Sequence, residues 1–319
     1  MEKILIIRFS SIGDIVLTSP VIRCIKNQKN IRIHYLVKSE YRILVDSNPH
    51  IEKVFSFNYN FNQLIADLKS EKYDLIIDLQ NNFRSWWIKF NLSLPSYSFK
   101  KKNWKKYLLI YGNWNLLNNH VVDRYFEVVK HINITNDNHG LEYFFHESTH
   151  VDFDIDQVFI AWSIGASSIK KQLSKKQIID VCNHIQHPVV LLGGLSEKNL
   201  GKKIVQESDH QKIYNFCGQT DLDQSAYIIK HSSLVLSNDT GLMHIAAAFK
   251  KPIISFWGCT KPSLGFSPYM SSDQSKELIT AKSDKPCSRH GHYCRFQGDG
   301  CVKEISSKII LQSIPTECN

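Results

Sequence analysis

The 319-residue chain has no apolar run approaching the ~18 residues that a membrane-crossing helix needs. It also lacks a secretory leader: Ile4 to Ile7 is too short for a signal-peptide core, Arg8 follows at once, and no small-residue cleavage site is present. A cytoplasmic protein is therefore expected. Nine prolines and fourteen glycines are too few for a collagen-like or linker-dominated chain. There is no Gly-x-Gly-x-x-Gly and no Gly-Lys-Ser/Thr loop, which speaks against a nicotinamide or flavin cofactor and against a P-loop. The absence of an RNP motif, zinc finger or helix-turn-helix signal argues against nucleic acid as a partner. Eight cysteines in a chain this long are too sparse for a disulfide scaffold, so mostly reduced thiols are expected. No repeat of 20–50 residues is evident, which excludes a solenoid.

What remains is an ordinary globular composition, 43% hydrophobic and 22% charged, long enough for about two domains. Short β-rich runs alternate with helical patterns, as in an α/β fold with mainly parallel sheets. Strands are expected at Lys3–Arg8, Ile31–Val37, Lys53–Phe57 and Asp74–Leu79, then at Val158–Ser163, Val189–Leu192, Lys212–Phe216, Leu234–Leu236 and Pro252–Phe256. Helices are expected at Ile15–Asn27, Phe61–Lys69, Arg84–Leu92, Val121–Ile132, Lys175–Ile185, Thr240–Phe249 and Lys303–Ile314. The stretch from Asn133 to Asp156 is aperiodic and rich in Asn, His and Asp, so a boundary is placed there: domains 1–152 and 153–319.

Chemistry is concentrated where strands end. Phe9-Ser10-Ser11-Ile12-Gly13-Asp14 follows the first strand and opens a helix. Gly13 permits a tight turn, and Ser10 and Ser11 offer hydroxyls. Asp14 can take a proton from a bound hydroxyl, or it can simply cap the helix. Ser237-Asn238-Asp239-Thr240-Gly241-Leu242-Met243-His244 also joins a strand to a helix, whose free N–H groups and positive dipole end suit a diphosphate. Asn238 or Asp239 could act there as a cap alone. Gly165-Ala166-Ser167 with Lys170, Gly193-Gly194, and Gly258-Cys259-Thr260-Lys261-Pro262 occupy similar strand-end positions. Several such loops in one half converge on a nucleotide site better than any one alone.

Taken together, these motifs resemble those of glycosyltransferase family 9, the bacterial heptosyltransferases. The first strand with Ser10-Ser11-Ile12-Gly13-Asp14 is similar to the family's start. Gly165-Ala166-Ser167 with Lys170, and Asn238 to His244, are similar to its donor motifs. The resemblance implies a GT-B fold, with two Rossmann-like domains of parallel sheets facing across a cleft, the N-terminal one (1–152) binding the acceptor and the C-terminal one (153–319) the nucleotide-sugar donor. It implies an inverting, metal-independent transfer of heptose or a related sugar from a nucleotide-diphosphate donor to a lipopolysaccharide-core acceptor. No cofactor is implied. The catalytic base would fall on Asp14. Donor contacts would fall on Gly165, Ser167, Lys170, Asp239, Thr240, Gly241 and His244. The acceptor, a lipid-linked saccharide at the inner membrane surface, would meet Ser10, Ser11 and Gly13. The chain departs from the family pattern in having Gln172-Leu173 where Trp-Pro is common, and Lys261 where an acidic residue is usual. Competing readings are a non-catalytic saccharide-binding protein and another GT-B nucleotide-sugar enzyme such as an epimerase.

Two further features stand apart. Lysines at 100, 101, 102, 105 and 106 lie among Trp86, Trp87, Phe99, Trp104, Tyr107, Tyr111 and Trp114. That mixture suits an anionic surface, and Lys101, Lys102 and Lys105 are assigned to the acceptor, with peripheral attachment to the inner face of the inner membrane. A solvated loop is the plainer alternative. Cys287, Cys294 and Cys301 form a group, with Cys24, Cys182, Cys217, Cys259 and Cys318 scattered. The group invites a zinc site completed by His290 or His292. With no Cys-x-x-Cys pair, a loop without metal is expected instead.

Overall fold

The computed structural model describes residues 1–57, 60–112, 114–117, 119–271, 274–296 and 298–316; Cys318 lies outside the described residues. The chain forms two compact units, Met1–Lys102 with Val121–Glu147, and Asn103–His120 with Ser148–Asn319.

The first unit carries a five-stranded sheet: β1 (Lys3–Ile7), β2 (Arg32–Lys38), β3 (Lys53–Phe57), β4 (Leu75–Asp78) and β5 (Ser96–Ser98). Every pairing is parallel, in the order β3-β2-β1-β4-β5. The second unit carries β6 (Ile160–Ser163), β7 (Val189–Leu192), β8 (Ile213–Asn215), β9 (Leu234–Asn238), β10 (Ile253–Trp257) and β11 (Ser275–Ile279). These too are all parallel, ordered β11-β10-β9-β6-β7-β8. Both sheets therefore follow the Rossmann order, reversing direction between β1 and β4 and between β6 and β9. Ligands in such sheets bind beyond the carboxyl ends of the strands at that reversal.

The central strands are covered on both faces, so their residues are apolar without alternation. Ile4, Leu5, Ile6 and Ile7 are fully buried, as are Val189 to Leu192. The second core gathers Trp162, Ile178, Leu191, Leu236 and Phe256. The first gathers Leu5, Leu36, Leu68, Ile76 and Ile88.

Four differences from the sequence expectation have physical causes. The helix expected from Ile15 is two, Ile12–Val16 and Ser19–Lys29, because Pro20 occupies the first turn of the second and lacks an N–H to continue the first. The last helix is only Ser307–Leu311, started by Ser306 accepting from the Ile309 N–H, while Cys301–Glu304 form a 3₁₀ turn. The helices Lys198–Glu207 and Leu222–His231 were not expected, although the capping box of Asp221 and Gln224 marks the second. Finally, Asn103–His120 packs with the second unit: Leu109 and Leu117 cluster with Leu264, and Arg295 Nη2 donates to the Ile110 carbonyl at 2.6 Å.

At the amino end of the first sheet, Glu71 accepts from Lys3 Nζ at 2.9 Å and Lys53 Nζ at 2.6 Å. Those hydrogen bonds, first from Lys53 and then from Lys3, hold its carboxyl down at about 2 against an ordinary 4.5. A depressed acid stabilises the fold fully above its unfolded pKa and ceases to do so as pH falls through the folded one. Glu71→Gln should therefore lower the melting temperature at pH 7, and the gap to wild type should close as pH falls from about 4.5 to 2. Thermal unfolding across that range measures it; a gap that does not depend on pH would show that the carboxylate is not the source.

Candidate functional site

At the reversal point of the second sheet, Asn238 closes β9 fully buried. Its Nδ2 donates to the Ile164 carbonyl at 2.9 Å and the Gly165 carbonyl at 3.3 Å, tying the end of β9 to the loop after β6. Its Oδ1 accepts from the Leu173 N–H at 3.4 Å. The next residue, Asp239, turns its carboxylate the other way. Asp239 Oδ2 pairs with Lys171 Nζ at 2.7 Å and accepts from Thr260 Oγ1 at 2.7 Å, so three strand-end loops meet at one oxygen. The lysine of this pair is Lys171, which is buried. Lys170, the one singled out by motif, reaches the Gly298 carbonyl at 3.1 Å.

Thr240 then precedes the helix Gly241–Ala248 in an extended conformation, and its side chain makes no capping bond. The N–H groups of the first helical turn have no partner within the helix, and Thr240 does not cover them. His244 lies one turn on and is buried. On the other side, a Cβ on Gly165 would meet Glu197 Oε2 at 3.0 Å, and one on Gly193 would meet Glu197 Cβ at 2.8 Å. Glu197 accepts from the Gly194 N–H at 2.9 Å and from Gln172 Nε2 at 3.2 Å. This carboxylate was missed in the sequence, where it is one Glu at a helix start. It packs against the loops after β6 and β7, leaving no room for a side chain at Gly193 and little at Gly165. The Gln172-Leu173 departure also fits: Gln172 braces Glu197 and Leu173 enters the core. Ser167 is exposed on the same loop. Lys261 is buried, which lowers its pKa, and its Nζ reaches the Thr280 carbonyl at 3.4 Å.

In the first unit, the loop after β1 is held rigidly. Arg8 is buried; its Nη1 donates to the Leu79 carbonyl at 2.6 Å, its Nε to the Ser10 carbonyl at 2.8 Å, and its Nη2 pairs with Asp14 Oδ1 at 2.8 Å. Burial opposes the charge on Arg8, and the Asp14 carboxylate together with Tyr125 and Tyr35 outweighs it, so its pKa is raised. Asp14 Oδ2 accepts from Ser11 Oγ at 2.9 Å and from the Ser11 N–H at 3.3 Å. Asp14 thus does cap the helix start, and it is also clamped by Arg8. Gly13 is buried behind it.

The lysine run is divided between the two units. Lys101 and Lys102 lie in the first unit, where Lys102 pairs with Glu127 at 2.8 Å. Lys105 lies in the second, with its Nζ 5.5 Å from the Trp104 ring. Lys106 is buried with its Nζ 5.1 Å from the Phe266 ring. The expectation that the whole run belongs to the acceptor half is corrected by the packing of Asn103–His120. Trp104, Tyr107, Tyr111 and Trp114 are exposed in the second unit, and in the first the helix Phe83–Leu92 exposes Phe83, Trp86, Trp87 and Phe90 as a stacked aromatic stripe. With Phe61 and Arg84, Phe83 and Trp87 line a cavity of about 390 Å³.

Two Rossmann-like units, each with a parallel sheet that reverses direction at its centre, define a doubly wound α/β protein. Residues 61–293 match the family described as glycosyltransferase family 9 (heptosyltransferase), and the chain belongs to it. The chain is 24% identical over 291 residues to lipopolysaccharide heptosyltransferase 1 of Campylobacter coli, covering 81% of this chain and 84% of the relative. A family 9 glycosyltransferase structure from Veillonella parvula superposes with a TM-score of 0.81 at 18% identity, over 98% and 96% of the two chains. The ADP-heptose heptosyltransferase II of Escherichia coli superposes with a TM-score of 0.75 at 19% identity, over 97% and 96%. The fold is GT-B, and the protein is a glycosyltransferase.

Replacing Asn238 by Ala would remove the side-chain donor shared by the buried Ile164 and Gly165 carbonyls. It should cost about 1–3 kcal/mol of stability, as leaving buried polar groups unsatisfied does. Chemical denaturation measures this; an unchanged midpoint would show that the amide is dispensable.

Proposed function

We propose that this enzyme transfers a heptose-class sugar from a nucleoside-diphosphate donor, ADP-heptose being the first candidate, to a lipopolysaccharide-core acceptor, with inversion at the anomeric carbon. The observation that carries the donor half is the uncapped start of the helix Gly241–Ala248 beside the Lys171–Asp239 pair. Four relations support it: Thr240 and Gly241 let a diphosphate approach the N–H groups, Lys170 adds charge from the neighbouring loop, Gly165 and Ser167 present a small surface, and His244 backs the first turn. As the bond from the sugar to the diphosphate breaks, negative charge grows on the leaving oxygen. Fixed dipoles and ammonium groups stabilise such charge without reorganising. Asp239 is already neutralised by Lys171, so in this reading the helix end and the lysines, rather than a cation on Asp239, stabilise the leaving group.

Asp14 is the base of this reading. The acceptor hydroxyl oxygen forms a bond to the anomeric carbon, the donor's carbon–oxygen bond breaks on the opposite side, and the hydroxyl proton goes to Asp14. One displacement gives inversion. Arg8 and Ser11 fix the carboxylate's orientation, and Ser10, Ser11 and Gly13 shape the surface that meets the acceptor. Lys101 and Lys102, in the same unit as Asp14, supply positive charge for an anionic acceptor. The aromatic stripe of Phe83, Trp86, Trp87 and Phe90 suits the headgroup layer of an anionic membrane, with the exposed Arg84 on the same helix. No helix among the described residues is long and apolar enough to cross a membrane, so attachment in this reading is peripheral.

Asp14→Asn should lower turnover by ~10²–10⁴-fold, the usual loss for a general base, and leave donor affinity unchanged. Transfer from ADP-heptose to heptose-free core, with calorimetry of donor binding, checks both; wild-type turnover would reduce Asp14 to a cap. Lys170→Ala and Thr240→Val should each weaken ADP and ADP-heptose binding to a similar extent, and unchanged affinity in both would move the donor site elsewhere. Trp86→Ser with Phe90→Ser should reduce sedimentation with phosphatidylglycerol vesicles at low salt. Undiminished binding would assign the stripe another role.

A further inference from the structure

The cysteines regroup in the fold. Cys259, counted as scattered in the sequence, joins Cys287, Cys294 and Cys301, and the four Sγ atoms all lie within 4.8 Å of one another. All four are buried, and they form an apolar cluster of thiols alone. His290 and His292, the expected additional ligands, are exposed and outside it. Ordinary core cysteines pack singly against carbon, as Cys182 does among Ile178, Val181 and Ile185. Here four converge on one point.

We propose that Cys259, Cys287, Cys294 and Cys301 hold a single thiophilic divalent ion, zinc or iron(II), that staples the 281–300 loop onto the proposed donor site. Three observations carry this. First, the dimensions fit one ion. Four sulfurs placed tetrahedrally ~2.3 Å from a metal are ~3.8 Å apart. The Cys259 and Cys301 sulfurs are 3.7 Å apart. A multi-iron cluster interposes its own irons and sulfides and would hold the thiolates farther apart. Second, the surroundings suit thiolates. The Arg295 N–H donates to Cys287 and the Cys301 N–H to Cys259, and the buried Lys261 side chain is near Cys301, Cys287 and Cys259. Binding a divalent ion releases four thiol protons and leaves a centre of charge −2, which those donors and that ammonium offset. Third, the loop needs a fastening. From Ala281 to Gly300 no described residue lies in a helix or strand, and so long a structureless stretch is uncommon in a compact domain.

The position of the loop gives the site its consequence. A Cβ on Gly291 would lie 2.5 Å from Lys171 Cδ, and one on Gly300 would lie 2.3 Å from the Lys170 carbonyl oxygen. Both glycines have φ in the left-handed range, at +76° and +108°. Ser168 Oγ donates to the Gly291 carbonyl at 2.9 Å, and Lys170 Nζ donates to the Gly298 carbonyl at 3.1 Å. Thr260, next to Cys259, holds Asp239. The centre thus stands behind both lysines and the aspartate of the preceding reading. It plays a structural part and takes none in the transfer step.

The test uses the full chain, purified without a metal-affinity tag from cells grown with added zinc and iron. Elemental analysis should find about one zinc or iron ion per chain. Iron, once oxidised to iron(III) by added ferricyanide, would show thiolate-to-iron absorption in the visible, and zinc would not. Cobalt(II) taken up in its place should show tetrahedral thiolate bands. Cys294→Ser and Cys301→Ser should lose the ion, while Cys217→Ser, a buried cysteine outside the cluster, should keep it. If the cluster variants do not fold, mercurial titration of wild type should release the ion as the four thiols react. Little or no metal, with all four cysteines recovered as alkylatable thiols or as disulfides, would overturn the proposal. Metal-depleted protein should also bind ADP several-fold more weakly. That arm rests on the donor reading, and metal content does not, so the two can fail separately.

Discussion

The second unit depends on a buried ion pair. Lys171 and Asp239 sit at the ends of two neighbouring strands, both largely withdrawn from water. Neither could be buried alone, because an unpaired charge in such a place costs about 3–5 kcal/mol. Their pairing fixes the loop after β6 against the turn after β9, and Thr260 brings in the loop after β10. The helix start at Thr240 is then held with no capping bond from the Thr240 side chain. The proposed donor site rests on this arrangement: the aspartate before the helix is occupied by Lys171 and Thr260.

The first unit solves a related problem with different groups. A buried guanidinium, Arg8, spans the ends of β1 and β4 through the Leu79 carbonyl and fixes Asp14. Each sheet therefore has one buried cation at its reversal point, bound to one carboxylate. In the first the carboxylate is the proposed base; in the second it is the brace for the proposed donor site. The same parallel-sheet scaffold supports both roles because in each the strand-end loops, not the strands, carry the chemistry.

Much of this was legible in the sequence. Continuous apolar runs such as Ile4–Ile7 and Val189–Leu192 announce strands buried on both faces, and the glycine and serine loops after them mark the strand ends where the proposed sites lie. What could not be read were relations between residues far apart in the chain. Lys171 and Lys170 are adjacent and alike in type; only the packing of Gly291 and Gly300 decides which turns inward. Cys259 lies 28 positions before Cys287 (259 to 287), too far for any spacing rule to join them. Asn103–His120 has no sequence mark that it belongs with the second unit; its place is set by Leu264, Phe266 and Arg295. The strands β5 and β11 were also missed, being short edge strands with polar residues facing outward.

The central claim is that a nucleoside diphosphate binds at the start of the helix Gly241–Ala248. Hydrogen–deuterium exchange of the full protein with and without ADP tests it most directly. The account predicts slowed exchange in the peptides spanning Asp239 to Met243 and Ile164 to Lys171, and none attributable to ADP in the peptide spanning Phe9 to Asp14. Binding of ADP with protection confined to the Phe9–Asp14 loop, and none at Thr240–Met243, would contradict it.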